Sequence, residues 1–149
     1  MRDPLEFPLI GKLFWHDGRA YQFFKSSPRD QKQYLYYVAL TTPEEKASGT
    51  GPVNLATTVL QSVVIEHLRS QLREPGKWLT DLLELAQGDP KLDEANIKQA
   101  LKKIANAWPQ FTEQTQAHTL FTLVDRVNVF PDKLGIKFNL SAVLKLIYG

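Results

Sequence analysis

Hydrophobic residues in this chain follow one period before about residue 55 and another after it. Upstream, Leu13-Phe14-Trp15, Tyr21-Gln22-Phe23-Phe24 and Tyr34-Leu35-Tyr36-Tyr37-Val38 are aromatic, β-favouring runs of strand length. His16-Asp17-Gly18 is a tight-turn signal between the first two, and Ser26-Ser27-Pro28-Arg29-Asp30 links the second to the third. The three runs predict a small antiparallel ribbon. Ala47-Ser48-Gly49-Thr50-Gly51-Pro52 then reads as a flexible link.

Downstream the period is helical. Leu60, Val64, Leu68 and Leu72 recur every four positions and predict an amphipathic helix that Pro75-Gly76 ends. Trp78, Leu79, Leu82, Leu83 and Ala86 predict a second helix, stopped at Gly88-Asp89-Pro90. Ile97, Leu101, Ile104 and Trp108 give a third, ending at Pro109. Thr112 is placed to cap a fourth, with Ala117, Leu120, Phe121 and Val124 on one face. The period then returns to two: Val127 and Val129 alternate with Asn128, Pro131-Asp132-Lys133 turns, and Ile136 and Phe138 alternate with Lys137. Residues 141–148 suit a short last helix. The expected class is α+β: an N-terminal antiparallel β-ribbon packed on a helical subdomain, with a small C-terminal β-hairpin and a short terminal helix. The ribbon subdomain is assigned to residues 1–52 and the helical part to 53–149, the two able to form one cooperative unit.

Several chemistries are excluded by composition. With no cysteine among 149 residues there are no disulfides, thiol nucleophiles or cysteine-held zinc sites. His16, His67 and His118 are widely spaced in sequence, so no metal and no cofactor is expected. Gly49-Thr50-Gly51-Pro52 lacks the spacing and the lysine of a phosphate-binding loop. Glu44-Glu45 and Asp93-Glu94 read as solvated helix starts, because neighbours on a helix diverge by about 100°. A tyrosine nucleophile served by a helical His-x-x-Arg pair fails on spacing, since Glu66-His67-Leu68-Arg69 turns the two about 200° apart. No apolar run approaches the roughly 20 residues of a membrane span. Residues 1–6 are not the apolar stretch of a secretory signal, so the cytoplasm is the expected compartment.

Charge is more informative locally than overall. Net charge is only +2, yet Arg19, Lys25, Arg29 and Lys32 cluster with Tyr21, Phe23 and Tyr34, opposed by Asp17 and Asp30. A two-stranded ribbon carrying such a patch suits phosphate contacts in a DNA groove. Solubilising an exposed hairpin tip is the plainer use of the same charges.

In order and spacing these elements resemble the C-terminal, recombinase-ribbon portion of the large serine recombinases, the site-specific integrases and transposon resolvases. That portion opens with Pro-Leu-x-Gly-x-Leu, here Pro8-Leu9-Ile10-Gly11-Lys12-Leu13, turns at a glycine, here Gly18-Arg19, and returns through Tyr36-Tyr37-Val38. A Leu-anchored helix entry follows, matching Leu55 with Leu60, Val63 and Val64. The family's tail is matched by Trp108, Thr112, Leu123-Val124-Asp125-Arg126-Val127-Asn128-Val129, Ile136-Lys137-Phe138 and Leu144. Zinc-bearing members place Cys-x-x-Cys before the turn glycine, where this chain has Phe14-Trp15-His16-Asp17, and more cysteines beyond the Tyr-Tyr strand, where it has Ala39. The likeness is therefore to a metal-free branch in which aromatic packing replaces the zinc. Neither the family's catalytic domain nor its long coiled-coil arm has a counterpart, since residues 74–96 are interrupted by Pro75, Gly76, Gly88 and Pro90. The resemblance implies a non-catalytic DNA-binding module of a mobile element. Its partners would be duplex DNA, and a recombinase catalytic subunit or a second copy of the chain. A protein–protein interaction module is the alternative.

Overall fold

The computed structural model describes residues 8–26 and 34–148. The helical half follows its apolar stripes. Leu60, Val64, Leu68 and Leu72 line the buried face of α2 (Thr57–Arg73), which ends just before Pro75. Leu82 and Ala86 are buried on α3 (Lys77–Ala86), and Ile97, Leu101 and Ala105 on α4 (Glu94–Ala107). Asp93 caps α4 and Thr112 caps α5 (Glu113–Leu123), each side chain accepting a first-turn N–H. Val124, expected on the face of that helix, instead caps its end and begins the next strand. An 11-residue helix is followed directly by period-two sequence, and the buried valines favour the sheet.

The strands form two three-stranded sheets. One has the order β1 (Leu13–Trp15), β5 (Val124–Val129), β6 (Leu134–Phe138). The other runs β2 (Gln22–Ser26), β3 (Tyr34–Val38), β4 (Leu55–Ala56). Completing the chain, α1 (Pro43–Ser48) follows β3, and α6 (Leu140–Tyr148) follows the β5–β6 hairpin. The mixed α+β architecture, with a C-terminal strand pair and short helix, is as read from periodicity. Both sheets draw strands from either side of residue 52, so the two halves interlock.

Two local expectations are corrected. The first run does not join the ribbon as a full strand. Gly18, at φ 101°, makes the turn, and Tyr21 N–H donates to Leu13 at 2.9 Å, but the antiparallel contact is a single bridge, Phe14 to Ala20. β1 pairs instead in parallel with β5, Leu13 opposite Val127 and Trp15 opposite Val129, which buries all four side chains together. Nor is 47–52 a loose link. Ala47 and Ser48 complete α1, whose Thr42 forms a reciprocal capping box with Glu45, and Pro52 is buried.

Rings pack around the turn at Gly18. Trp15 is 4% exposed, its ring 4.6 Å from that of His16, which stacks on Phe130 at 5.4 Å. Arg126 lies over Phe14 at 3.9 Å. With so little of Trp15 in contact with water, Trp15→Ala should lower the unfolding free energy by about 3–5 kcal/mol in denaturant titration. A loss below about 1 kcal/mol would place the ring outside the core.

Candidate functional site

The β2–β3 ribbon is held at its base by one arginine. Arg19 makes a bidentate pair with Glu45, Nη1 to Oε1 and Nη2 to Oε2, both at 2.7 Å. Its Nε donates to Asp17 Oδ2 at 2.9 Å, and Nη1 also donates to the Leu40 carbonyl at 2.9 Å. The chain entering β2, the chain leaving β3 and the start of α1 therefore meet on one guanidinium. The planar fork suits this, because it satisfies two carboxylates and a carbonyl at once. Gly51, at φ 88°, lies against the pair: a Cβ there would sit 2.6 Å from the Glu45 carboxyl carbon. Only glycine fits behind the clamp.

Hydrogen bonds from Arg19, then from the Thr42 N–H, hold the Glu45 carboxyl down to about 2. Arg19 likewise lowers Asp17. A depressed carboxylate contributes stability that is complete above its unfolded value, near 4.5 here, and is lost as pH falls toward 2. Glu45→Gln should therefore flatten the acid limb of a pH–stability curve between 4.5 and 2. An unchanged limb would show that the pair contributes nothing to folding.

Beyond the clamp the ribbon has two dissimilar faces. Phe23, Lys25, Leu35 and Tyr37 share the inward face with Leu55 of β4, over α2, Lys25 opposite Leu35. The buried Tyr37 hydroxyl accepts the Leu9 N–H at 3.0 Å, and Tyr21, leading into β2, donates its hydroxyl to the Val53 carbonyl at 3.0 Å. Burial raises both phenols, Tyr21 to about 12, so neither is a nucleophile near neutral pH. The outward row is Gln22, Phe24, Tyr34, Tyr36 and Val38. Phe24 is 51% exposed and Tyr34 41%, with Tyr36 half-buried directly opposite Phe24.

The four basic residues singled out by sequence are not equivalent. Arg19 is the clamp, its charge met by Asp17 and Glu45, and it is half-buried. That corrects its expected role as a phosphate contact: the geometry makes it a structural ion pair. Lys25 is exposed near the far end of β2. Arg29 and Lys32 belong to the segment between β2 and β3, outside the described residues. Glu45, read from sequence as a solvated helix start, is the clamp's other half. The spacing Thr42-x-x-Glu45 was the available signal, being that of a capping box.

Other charged side chains make contacts away from the ribbon. Lys12 places its ammonium on the Phe121 and Val124 carbonyls at the end of α5 and over the Phe121 ring, where burial lowers its pKa. A groove of about 670 Å³ beside α2 holds Arg69 and Arg73, but Glu66 and Glu74 line it too. Arg69 there donates to the Ala105 carbonyl at 3.3 Å, near the end of α4. His16, His67 and His118 are all exposed and, among the described residues, no three potential ligands gather as for a metal ion. Also among the described residues, no helix is long and apolar enough to cross a membrane. No family model, curated protein or solved structure matches the chain significantly.

Proposed function

We propose that the chain is a non-catalytic DNA-binding module, with the β2–β3 ribbon as its contact surface. The observation that carries this reading is the separation of charge along the ribbon. At its base Arg19 is neutralised by two carboxylates, whereas the sequence from residue 22 to 38 carries three basic residues, Lys25, Arg29 and Lys32, and one acidic, Asp30. A two-stranded ribbon has the width to approach the major groove. Its tip is where phosphates would be neutralised. The resemblance to the recombinase-ribbon portion of the serine recombinases supports the same use, with catalysis supplied by a separate catalytic domain or subunit.

With Arg19 committed to the clamp, three residues remain for phosphate contact. The slope of log affinity against log salt for a short duplex should then be about −2.7, and each of Lys25→Ala, Arg29→Ala and Lys32→Ala should make it shallower by about 0.9. The measurement is fluorescence anisotropy on the whole chain across a salt series. A triple variant that binds duplex as the wild type does would exclude this surface.

A second reading, an interaction or self-association module, is favoured by a different surface. Val53, Val59, Val63, Phe130 and Leu134 line an apolar groove of about 580 Å³ between the start of α2 and the β5–β6 turn. Val53 and Val59 are each more than half exposed there. A concentration-dependent mass by light scattering, abolished by Val59→Glu, would favour this reading over the first.

A further inference from the structure

The β1–β5–β6 sheet has two unlike faces. Val124, Val127 and Val129 of β5 are turned to the core. Alternation therefore puts Phe14, Arg126, Asn128, Gly135 and Lys137 on the outer face. Arg126 and Lys137 stand directly opposite each other across β5 and β6. Like charges so placed are destabilising, and a face that needed only solvation would be better served by opposite signs. Lys133, at the end of the same hairpin, adds a third cation, and both lysines are exposed. No carboxylate among the described residues lies within ion-pair distance of Arg126, Lys133 or Lys137. Of the two nearest in sequence, Asp125 sits at the bulge of β5 and acts on Lys12, and Asp132 is exposed in the turn.

Rings and an amide, not carboxylates, hold two of these cations in place. The Arg126 guanidinium lies 3.9 Å from the centre of the Phe14 ring, and its Nε donates to Asn128 Oδ1 at 2.8 Å. Lys133 Nζ lies 5.1 Å from the centre of the Phe130 ring. Gly135 leaves that ring room, since a Cβ there would come within 3.4 Å of it. A ring or a neutral amide orients a cation without cancelling its charge, whereas the two carboxylates on Arg19 cancel it. Arg126, Lys133 and Lys137 are thus a presented charge, and Arg19 a consumed one. We infer that the outer face of the β1–β5–β6 sheet, through these three residues, is a second surface on which the module contacts duplex DNA phosphates. The inference rests on the DNA-binding reading above and adds to it a contact surface separate from the ribbon. The spread of the cations fits a polyanion better than a single anion. From Lys133 to Lys137 the strand runs about 13 Å, a distance over which a duplex carries several phosphates on each strand.

The test uses the whole chain and a labelled duplex of about 30 base pairs, roughly 100 Å long and so able to reach both surfaces. Anisotropy titrations are run across a salt series. Lys133→Ala and Lys137→Ala should each weaken binding about fivefold or more at low salt and make the slope of log affinity against log salt shallower by about 0.9. Lys137→Ala should at the same time raise the thermal midpoint, because Arg126 loses a like-charged neighbour. Lys137→Glu, which sets an opposite charge across from Arg126, should raise the midpoint further and weaken binding more. A lysine kept for the fold alone would behave the other way, its removal lowering the midpoint and leaving affinity unchanged. Variants at Lys133 and Lys137 that keep wild-type affinity and slope, while the Lys25, Arg29 and Lys32 triple variant loses both, would overturn this surface and leave the ribbon reading standing. Failure of the wild type to bind the duplex would remove the DNA reading and this inference with it.

Discussion

Parallel pairing of β1 with β5 is the constraint on which the rest of the fold depends. Leu13, Phe14 and Trp15 lie opposite Val127, Asn128 and Val129, residues from opposite ends of the sequence. Parallel neighbours cannot be joined by a hairpin, so a connection must leave one strand and return to the start of the other. Here that connection contains the whole of the second sheet and helices α1 to α5. β1 is three residues long and gains little from hydrogen bonds alone. Burial of Leu13 and Trp15 against Val127 and Val129 holds it, with the Lys12 ammonium on the end of α5 as a polar fastening. Such non-local pairing closes late in folding, because loop-closure entropy must be met before its contacts form.

The second sheet answers a different need. It is nearly local, built from adjacent strands, and its outer strand β2 has an open edge among the described residues. Two polar fastenings orient it. Tyr37 reaches from β3 to the Leu9 backbone, joining the ribbon to the approach to β1, and Arg19 ties both of its ends to α1. The base of the ribbon is thereby fixed by ion pairs and by the buried Tyr37 phenol.

How much of this was legible in the sequence depends on whether the signal was local. The stripe from Leu60 to Leu72, the Thr112 cap and the valine alternation after residue 124 are each set by neighbours within a turn or a strand, and each was readable. The partner of β1 was not, because periodicity gives a strand and the face it buries but not the strand it lies beside. Nor was the job of Arg19, since Glu45 lies beyond an intervening strand pair. The basic cluster looked uniform in sequence; distance and geometry separate Arg19 from Lys25. The aromatic row was hidden for a third reason. Aromatics occupy both phases of the second and third runs, so alternation could not say which row faced water until Tyr37 was seen bonded beneath the sheet.

Lys25 stands where these demands meet. An open strand edge invites pairing with another chain, and a charged residue on the edge strand is a common defence, since it resists leaving water. The hazard is greater than usual because Phe24, beside it, and Tyr34, across the strands, are exposed. A row of large rings at an undefended edge would favour strand-on-strand association over any other contact. A positive charge on the edge strand opposes a second copy of the same ribbon, which brings the same charge. Lys25 lies on the other face from the exposed rings, opposite Leu35, so it protects the strand edge without covering them.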